Sequence, residues 1–306
     1  MTGAPISSTD RSDPMTWSRD EWRKQVSGVR AGNRLPERLW PGNARVAVAI
    51  SFDVDHETPW LSGGDVAPAG LAFGEFGSRR GLPRILNLLE KYRVKGSFFI
   101  PAVAADLHPG DVADIVAAGH EVGYHGWIHE RADRLEPGVE RELLLRSLDM
   151  LERLGRVRPV GGRAPSFGIS SNTLRLMSDA GLSYDSSLMA DEMPYEILLD
   201  GLPSGLTEVP VDWARDDAAF LVTDRYGGLR QVPDPQVMID SWLDDFHAAV
   251  DDGGMFQLTL HPDLIGRRAP FRAFTRLVET ITTQPGVWFA THAEIAALVP
   301  NGRSLK

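Results

Sequence analysis

From about residue 45 to residue 299 the chain alternates short, β-branched apolar runs with longer segments whose apolar residues recur at helical spacing. No single motif limits the fold as much, because such alternation calls for parallel strands covered by helices. The run RVAVAISFDVD (45–55) sets the pattern. Val46, Val48 and Ile50 alternate with alanines and Phe52 follows, so the stretch is nearly apolar on both faces, like a buried parallel strand. GLPRILNLLEKYRV (81–94) then carries Leu82, Ile85, Leu86 and Leu89 at helical spacing. Further strands are expected at 96–100, at EVG (121–123), and within PVGGRAPSFGIS, LSYDSSL, LTEVPVDW, GMFQLTLHPD and VWFATH. Helices are expected between them, notably VERELLLRSLDMLERLG and PQVMIDSWLDDFHAAVDDG. About seven such units suggest a barrel rather than an open sheet. No GxGxxG or phosphate loop follows a strand, so a nucleotide fold has no support.

Residues 41–300 are read as one barrel domain. Residues 1–40 are an arm with a short helix near 19–28, packing through Trp17, Trp22 and Trp40, and residues 1–14 and 301–306 are tails. Residues 56–78 form a long Gly- and Pro-rich loop of the kind that is often functional. The net charge of −10 argues against nucleic acid and anionic membranes as partners. The absence of cysteine excludes thiolate chemistry. No leader-like or membrane-spanning apolar run is present, so a cytoplasmic protein is expected.

Polar residues gather where the strands end, which in an α/β barrel is the active-site face. Asp53 and Asp55 close the first run, two apart and therefore on one face. His125 and His129 follow the third strand in GHEVGYHGWIHER, four apart, a spacing that on a helix puts two imidazoles on one side. Arg163 follows the fourth. Asp212 and Trp213 end a later strand, and His261 ends FQLTL. Asp55, His125 and His129 can hold a divalent ion and leave positions open for water and substrate. Such an ion acidifies its water and polarises a carbonyl. Asp53 can take the proton, His261 can give one to a departing nitrogen, and Arg163 can keep Asp53 ionised. His120 is expected to be structural, and His108, His247 and His292 to be surface or capping residues.

With these residues in place the chain resembles the polysaccharide deacetylase, or NodB-homology, family over about residues 45–299. Phe52-Asp53-Val54-Asp55 resembles the family's strand-end Asp pair, and His125–His129 its His-x-x-x-His motif. Arg163-Ala164-Pro165 resembles its Arg-x-Pro motif, and Leu260-His261-Pro262 its His-Pro motif. The resemblance implies an α/β fold, a distorted (β/α)7-type barrel, and hydrolysis of an N-acetyl group or a similar C–N bond in a glycan or small molecule. It implies Zn²⁺, or a like ion such as Co²⁺, on Asp55, His125 and His129. It also implies Asp53 as base, His261 as acid, Arg163 and Asp212 as further catalytic residues, and the Ser166 N–H as oxyanion donor. His56, Glu57, Trp60, Trp127, Phe167 and Trp213 are the expected substrate-pocket residues. The family's adjacent Asp pair is split here by Val54 and followed by His56-Glu57, which leaves the aspartate roles open between Asp53 and those two residues. GHEVGYHGWIHE and DVDHETPW resemble the branch that includes peptidoglycan-deacetylase-like, imidase-like and allantoinase-like proteins, which implies a homo-oligomer. Removal of N-acetyl from an amino sugar is thus the leading expectation. Opening of a cyclic imide or ureide is the alternative, and a non-catalytic binding protein is ranked last.

Overall fold

The computed structural model describes residues 13–37, 40–222, 231 and 233–300. The tails expected at 1–14 and 301–306 lie largely outside the described residues.

Ten strands form one curled sheet: β1 (Val29–Arg34), β2 (Val46–Asp53), β3 (Ser97–Ile100), β4 (Glu121–Tyr124), β5 (Gly161–Gly162), β6 (Tyr184–Asp185), β7 (Tyr195–Leu199), β8 (Leu202–Glu208), β9 (Met255–Leu260) and β10 (Val287–Phe289). Seven of them form a parallel ring in the order β9-β2-β3-β4-β5-β6-β8, and β10 pairs parallel with the start of β2. This is the expected (β/α)7-type barrel, and it is distorted at one seam. β8 and β9 do not pair along their length. A single parallel bridge between Asp216 and Thr259 spans the gap.

Two additions depart from an all-parallel barrel. β7 and β8 form an antiparallel hairpin, and β1, from the N-terminal arm, pairs antiparallel with β7. The arm therefore joins the sheet. The helix Arg19–Ser27 precedes β1 and carries a capping box between Ser18 and Glu21. Of the arm's tryptophans, Trp40 is buried and donates its indole N–H to the Gly253 carbonyl at 3.0 Å, whereas Trp22 is about half exposed. The loop expected at 56–78 holds two short helices, Thr58–Ser62 and Pro68–Phe76, followed by a π turn at Gly77–Gly81. Both helices start at a proline near N1, where its missing N–H costs nothing.

The alternation along β2 decides where chemistry is possible. Ile50 and Phe52 face the covering helices. Phe52 stacks on Phe98 at 4.9 Å and meets Phe274 edge-on at 6.3 Å. Ser51 and Asp53 face inward, where β9 contributes Gln257 and Thr259, all of them buried. The Gln257 amide donates to Ser51 Oγ (3.2 Å) and Thr259 Oγ1 (3.0 Å), so these side chains form a polar lattice inside the upper barrel, with Gln257 Oε1 left without a partner.

Candidate metal centre

Asp53 is the last residue of β2, and Asp55 follows on the same side, as the period of two requires. Arg163 enters just after β5 and is completely buried. Its Nη1 donates to Asp53 Oδ1 (2.7 Å) and Ser51 Oγ (2.9 Å). Its Nε donates to the Ser186 carbonyl (3.0 Å), and its Nη2 to Ser186 Oγ (2.9 Å) and His292 Nε2 (3.3 Å). Every donor of the guanidinium is thus engaged, and the plane lies 4.3 Å over the Phe99 ring. Asp53 is held in orientation with Oδ2 left toward the cluster.

The segment carrying His125 and His129 is a loop, not the helix whose spacing suggested their pairing. Gly126 and His129 both take left-handed backbone, at φ +79° and +63°. A Cβ on Gly126 would sit 2.9 Å from Pro165, so only glycine fits that turn. The Glu130 carboxylate accepts the N–H groups of Trp127 (2.9 Å) and Ile128 (2.7 Å), bracing the loop between the two histidines. His125 Nδ1 donates to the Arg163 carbonyl at 2.8 Å, which fixes the tautomer and frees Nε2 for the site.

These elements converge. His129 Nε2 lies 3.2 Å from Asp55 Oδ2, and His125 Nε2 lies 3.4 Å from Asp55 Oδ1 and 3.6 Å from Asp53 Oδ2. Donor atoms of Asp55, His125 and His129 all lie within 4.8 Å of one another, and all three residues are buried. Asp55 Oδ1 and His125 Nε2 are buried without a hydrogen-bond partner. Two orphaned acceptor atoms facing each other are costly unless a cation sits between them, so the residues fit a divalent ion. Burial would raise the Asp55 carboxyl, but the imidazoles of His129, His125 and His261 outweigh it and hold it below the usual range. Burial keeps the His125 ring below its ordinary value, in the neutral form a metal requires.

His261 faces this group from the end of β9, with Nε2 3.8 Å from Asp55 Oδ2. Its partner is Asp217, which accepts from His261 Nδ1 at 2.7 Å and from the His261 N–H at 3.1 Å. Burial disfavours a charged ring here, but Asp217, then Asp216 and Asp55, outweigh it and hold the imidazolium well above its ordinary value. Burial also lifts Asp217 to about 6, against the pull of His261. Asp216, Asp217 and His261 also form a compact acid–histidine group, yet both Asp217 oxygens already serve His261, so Asp217 orients the ring.

Asp212, expected as a further catalytic residue, does not join the cluster. It is half exposed, caps the turn Trp213–Arg215 through the Ala214 N–H (2.8 Å), and stands 3.7 Å from Arg215. That turn rephases the chain and brings Asp216 and Asp217 inward. The signal available in the sequence was the adjacent acid pair in front of Ala218-Ala219-Phe220-Leu221.

Ser166 sits on the turn after Arg163-Ala164 with φ +52°. The turn's own bonds run from the Phe167 N–H to the Ala164 carbonyl and from the Gly168 N–H to the Pro165 carbonyl, and neither uses the Ser166 N–H. Phe167 packs edge-on against Trp213 at 4.7 Å. Trp60 lines a cavity of about 670 Å³ that also takes in Asp55, His261, Phe73 and Leu221.

The other expected pocket residues point elsewhere. His56 pairs with Asp111 (2.9 Å) and Glu57 with His108 (2.8 Å), two bonds that tie the start of the 56–78 segment to the helix Pro109–Ala117 and the residue before it. His56 Nε2 and Glu57 Oε2 are committed to these pairings. Trp127 lies under the Arg146 guanidinium at 4.1 Å. His108 is half buried in an ion pair and caps the helix Pro109–Ala117, one of the roles expected of it, whereas His292 is fully buried against Arg163 and Ser97. His120 accepts the Gly96 N–H at 3.2 Å, and burial, helped by Lys95, takes it down to about 4.

A buried acid–histidine cluster at the strand ends of a parallel barrel is a candidate metal centre of the kind hydrolases use. The chain belongs to the polysaccharide deacetylase family, whose model matches residues 67–184. It is similar to the peptidoglycan deacetylase of Helicobacter pylori, at 28% identity over 82% of this chain and 95% of that one. Among solved structures, a protein assigned as a polysaccharide deacetylase from Mycobacterium smegmatis matches with TM-score 0.81 and 34% identity, covering 90% of this chain and 98% of that one. The Puue allantoinase matches with TM-score 0.76 and 26% identity, over 87% and 94% of the two chains. No helix among the described residues is long and apolar enough to cross a membrane.

Proposed function

We propose that this chain is a metal-dependent deacetylase that removes the N-acetyl group from an amino sugar of a glycan. One observation carries the reading: a carboxylate gripped by Arg163 and an imidazolium gripped by Asp217 flank a buried Asp–His–His set with orphaned acceptor atoms. Asp55, His125 and His129 would hold the ion, Zn²⁺ in this reading, which supplies a Lewis acid that acidifies water and polarises the acyl oxygen.

Asp53 takes the proton of the attacking water at Oδ2, its other oxygen being committed to Arg163. The Ser166 N–H donates to the acyl oxygen as charge grows there. His261 gives its Nε2 proton to the sugar nitrogen as the C–N bond breaks, because an amine anion is a poor leaving group, and Asp217 keeps the ring aimed and charged. The products are acetate and the free amino sugar.

The similarity to an allantoinase keeps opening of a cyclic imide or ureide as the second reading. The expected homo-oligomer and cytoplasmic setting belong to the proposal and rest on the resemblance. The test is a panel of chito-oligosaccharides, peptidoglycan fragments, succinimide, hydantoin and allantoin, assayed with Zn²⁺ or Co²⁺. Acetate release from the acetylated sugars is expected. Turnover of the ring compounds alone would overturn the reading.

A further inference from the structure

The turn that carries Ser166 is strained and thinly supported. Ser166 and Phe167 both take left-handed backbone, at φ +52° and +53°, although neither is glycine. Side-chain-bearing residues hold that conformation only where their surroundings over-determine it. The strand leading in, β5, is two residues long and meets β4 at one register pair, Tyr124 with Gly162. Pro165 has no N–H to give. Among the described residues, one main-chain hydrogen bond ties Ala164–Gly168 to another element, from the Ala164 N–H to Ser187 Oγ at 2.9 Å.

A buried acid pair fixes which way Ser187 faces. Its hydroxyl donates to Asp185 Oδ1 at 2.9 Å, which turns a lone pair toward Ala164. Its N–H lies between Asp185 Oδ2 (3.1 Å) and Glu208 Oε1 (2.9 Å), and the Leu188 N–H gives Glu208 Oε1 a second bond at 3.0 Å. Glu208 Oε2 is buried without a hydrogen-bond partner, a place that suits a neutral carboxyl and penalises a carboxylate. The phenols around the pair are Tyr195 of β7, Tyr124 of β4 and Tyr184 of β6. Burial first, then nearby carboxylates, pushes all three upward, so they stay neutral. The guanidinium nearby, Arg163, has its donors engaged by Asp53, Ser51, Ser186 and His292. No counter-charge therefore relieves the pair, and a proton on Glu208 does so instead.

We infer that Glu208 and Asp185 are positioning residues: through Ser187 they anchor the Ala164–Gly168 turn, and with it the Ser166 N–H, against the metal centre. The adjacent Ser186 holds the Arg163 side chain through both its carbonyl and its hydroxyl, so one short segment, 185–187, sets the turn and the partner of Asp53 together. This rests on the proposed reaction only in using the Ser166 N–H as donor to the acyl oxygen.

The test uses the metal-loaded full chain and the variants Ser187→Ala, Glu208→Gln and Glu208→Ala. Deuterium exchange read by mass spectrometry follows residues 163–168, and steady-state kinetics use whichever compound of the panel above is turned over. In Ser187→Ala the turn should exchange about tenfold faster than in the wild type at the same pH, and kcat should fall by about 10- to 10²-fold. KM should stay within about twofold and metal content should not change, because neither the cavity nor the ligands are touched. A glutamine amide can accept both N–H bonds and donate toward Asp185. Glu208→Gln should therefore match the wild type near neutral pH, and Glu208→Ala should resemble Ser187→Ala. As pH rises the wild type should lose protection of the turn relative to Glu208→Gln, since only the wild type has a proton to lose there. A folded Ser187→Ala with wild-type exchange and kcat overturns the inference. So does a Glu208→Gln as impaired as Glu208→Ala, or activity lost in step with metal. If no N-acetylated compound is turned over, the deacetylase reading fails, and the exchange data still decide whether Ser187 and Glu208 anchor the turn.

Discussion

Arg163 reaches across 110 residues of chain to donate Nη1 to Asp53 Oδ1 at 2.7 Å, and in doing so ties the end of β2 to the loop after β5. The same residue's carbonyl accepts from His125 Nδ1 at 2.8 Å. One side chain and its own backbone therefore orient both the proposed base and one proposed ligand.

Asp53→Asn should keep the Arg163 contact through the amide oxygen and lose the base. Acetate release is expected to fall by about 10²- to 10⁴-fold, the usual worth of a positioned base, with bound metal unchanged. Acetate release and metal content measured on the same preparation check both halves.

Asp217→Asn should leave an amide facing His261 Nδ1 and remove the charge that favours the imidazolium. Turnover should drop by about 10- to 10³-fold, below the full worth of a general acid because the ring itself remains. KM should change little, since Asp217 lies behind His261 rather than in the cavity. Steady-state kinetics on an N-acetylated substrate read the split directly.

Glu208 is fully buried near Asp185, and the Ser187 N–H donates to both carboxyls, at 2.9 and 3.1 Å. Burial, then the charge of Asp185, raises Glu208 well above its ordinary 4.5. A carboxyl whose folded value is raised contributes stability that is complete below the unfolded value and is lost as pH rises through the folded value. Wild type should therefore lose stability relative to Glu208→Gln as pH climbs from 4.5 toward the raised folded value. Denaturant midpoints of the two proteins across that range give the sign. Ser187 Oγ also accepts the Ala164 N–H at 2.9 Å, so this acid pair sits under the turn that carries Ser166.

The barrel was legible because strands and helices impose different periods, and the Asp53–Asp55 placement because period two is local. The His125–His129 pairing was legible for the wrong reason: a helix was expected, and a loop turned by Gly126 delivers the same convergence. Asp217 was missed in favour of Asp212 because one turn, Trp213–Arg215, resets which residues face inward, and nothing in the local pattern marks where that turn falls. The antiparallel strands β1 and β7 were missed because neither is long and β1 is polar, so pairing rather than propensity makes them strands. His292 and the Glu208–Asp185 pair depend on contacts far apart in sequence, which no spacing rule can show.

The account depends on Asp55, His125 and His129 sharing one ion. The direct measurement is metal content by mass spectrometry, after dialysis, of wild type and of a folded Asp55→Ala protein. The account predicts close to one divalent ion per chain in the wild type, and little or none in the variant, with activity restored to the stripped wild type by Zn²⁺ or Co²⁺. Full metal occupancy in Asp55→Ala, or a metal-free wild type with undiminished activity, would contradict it.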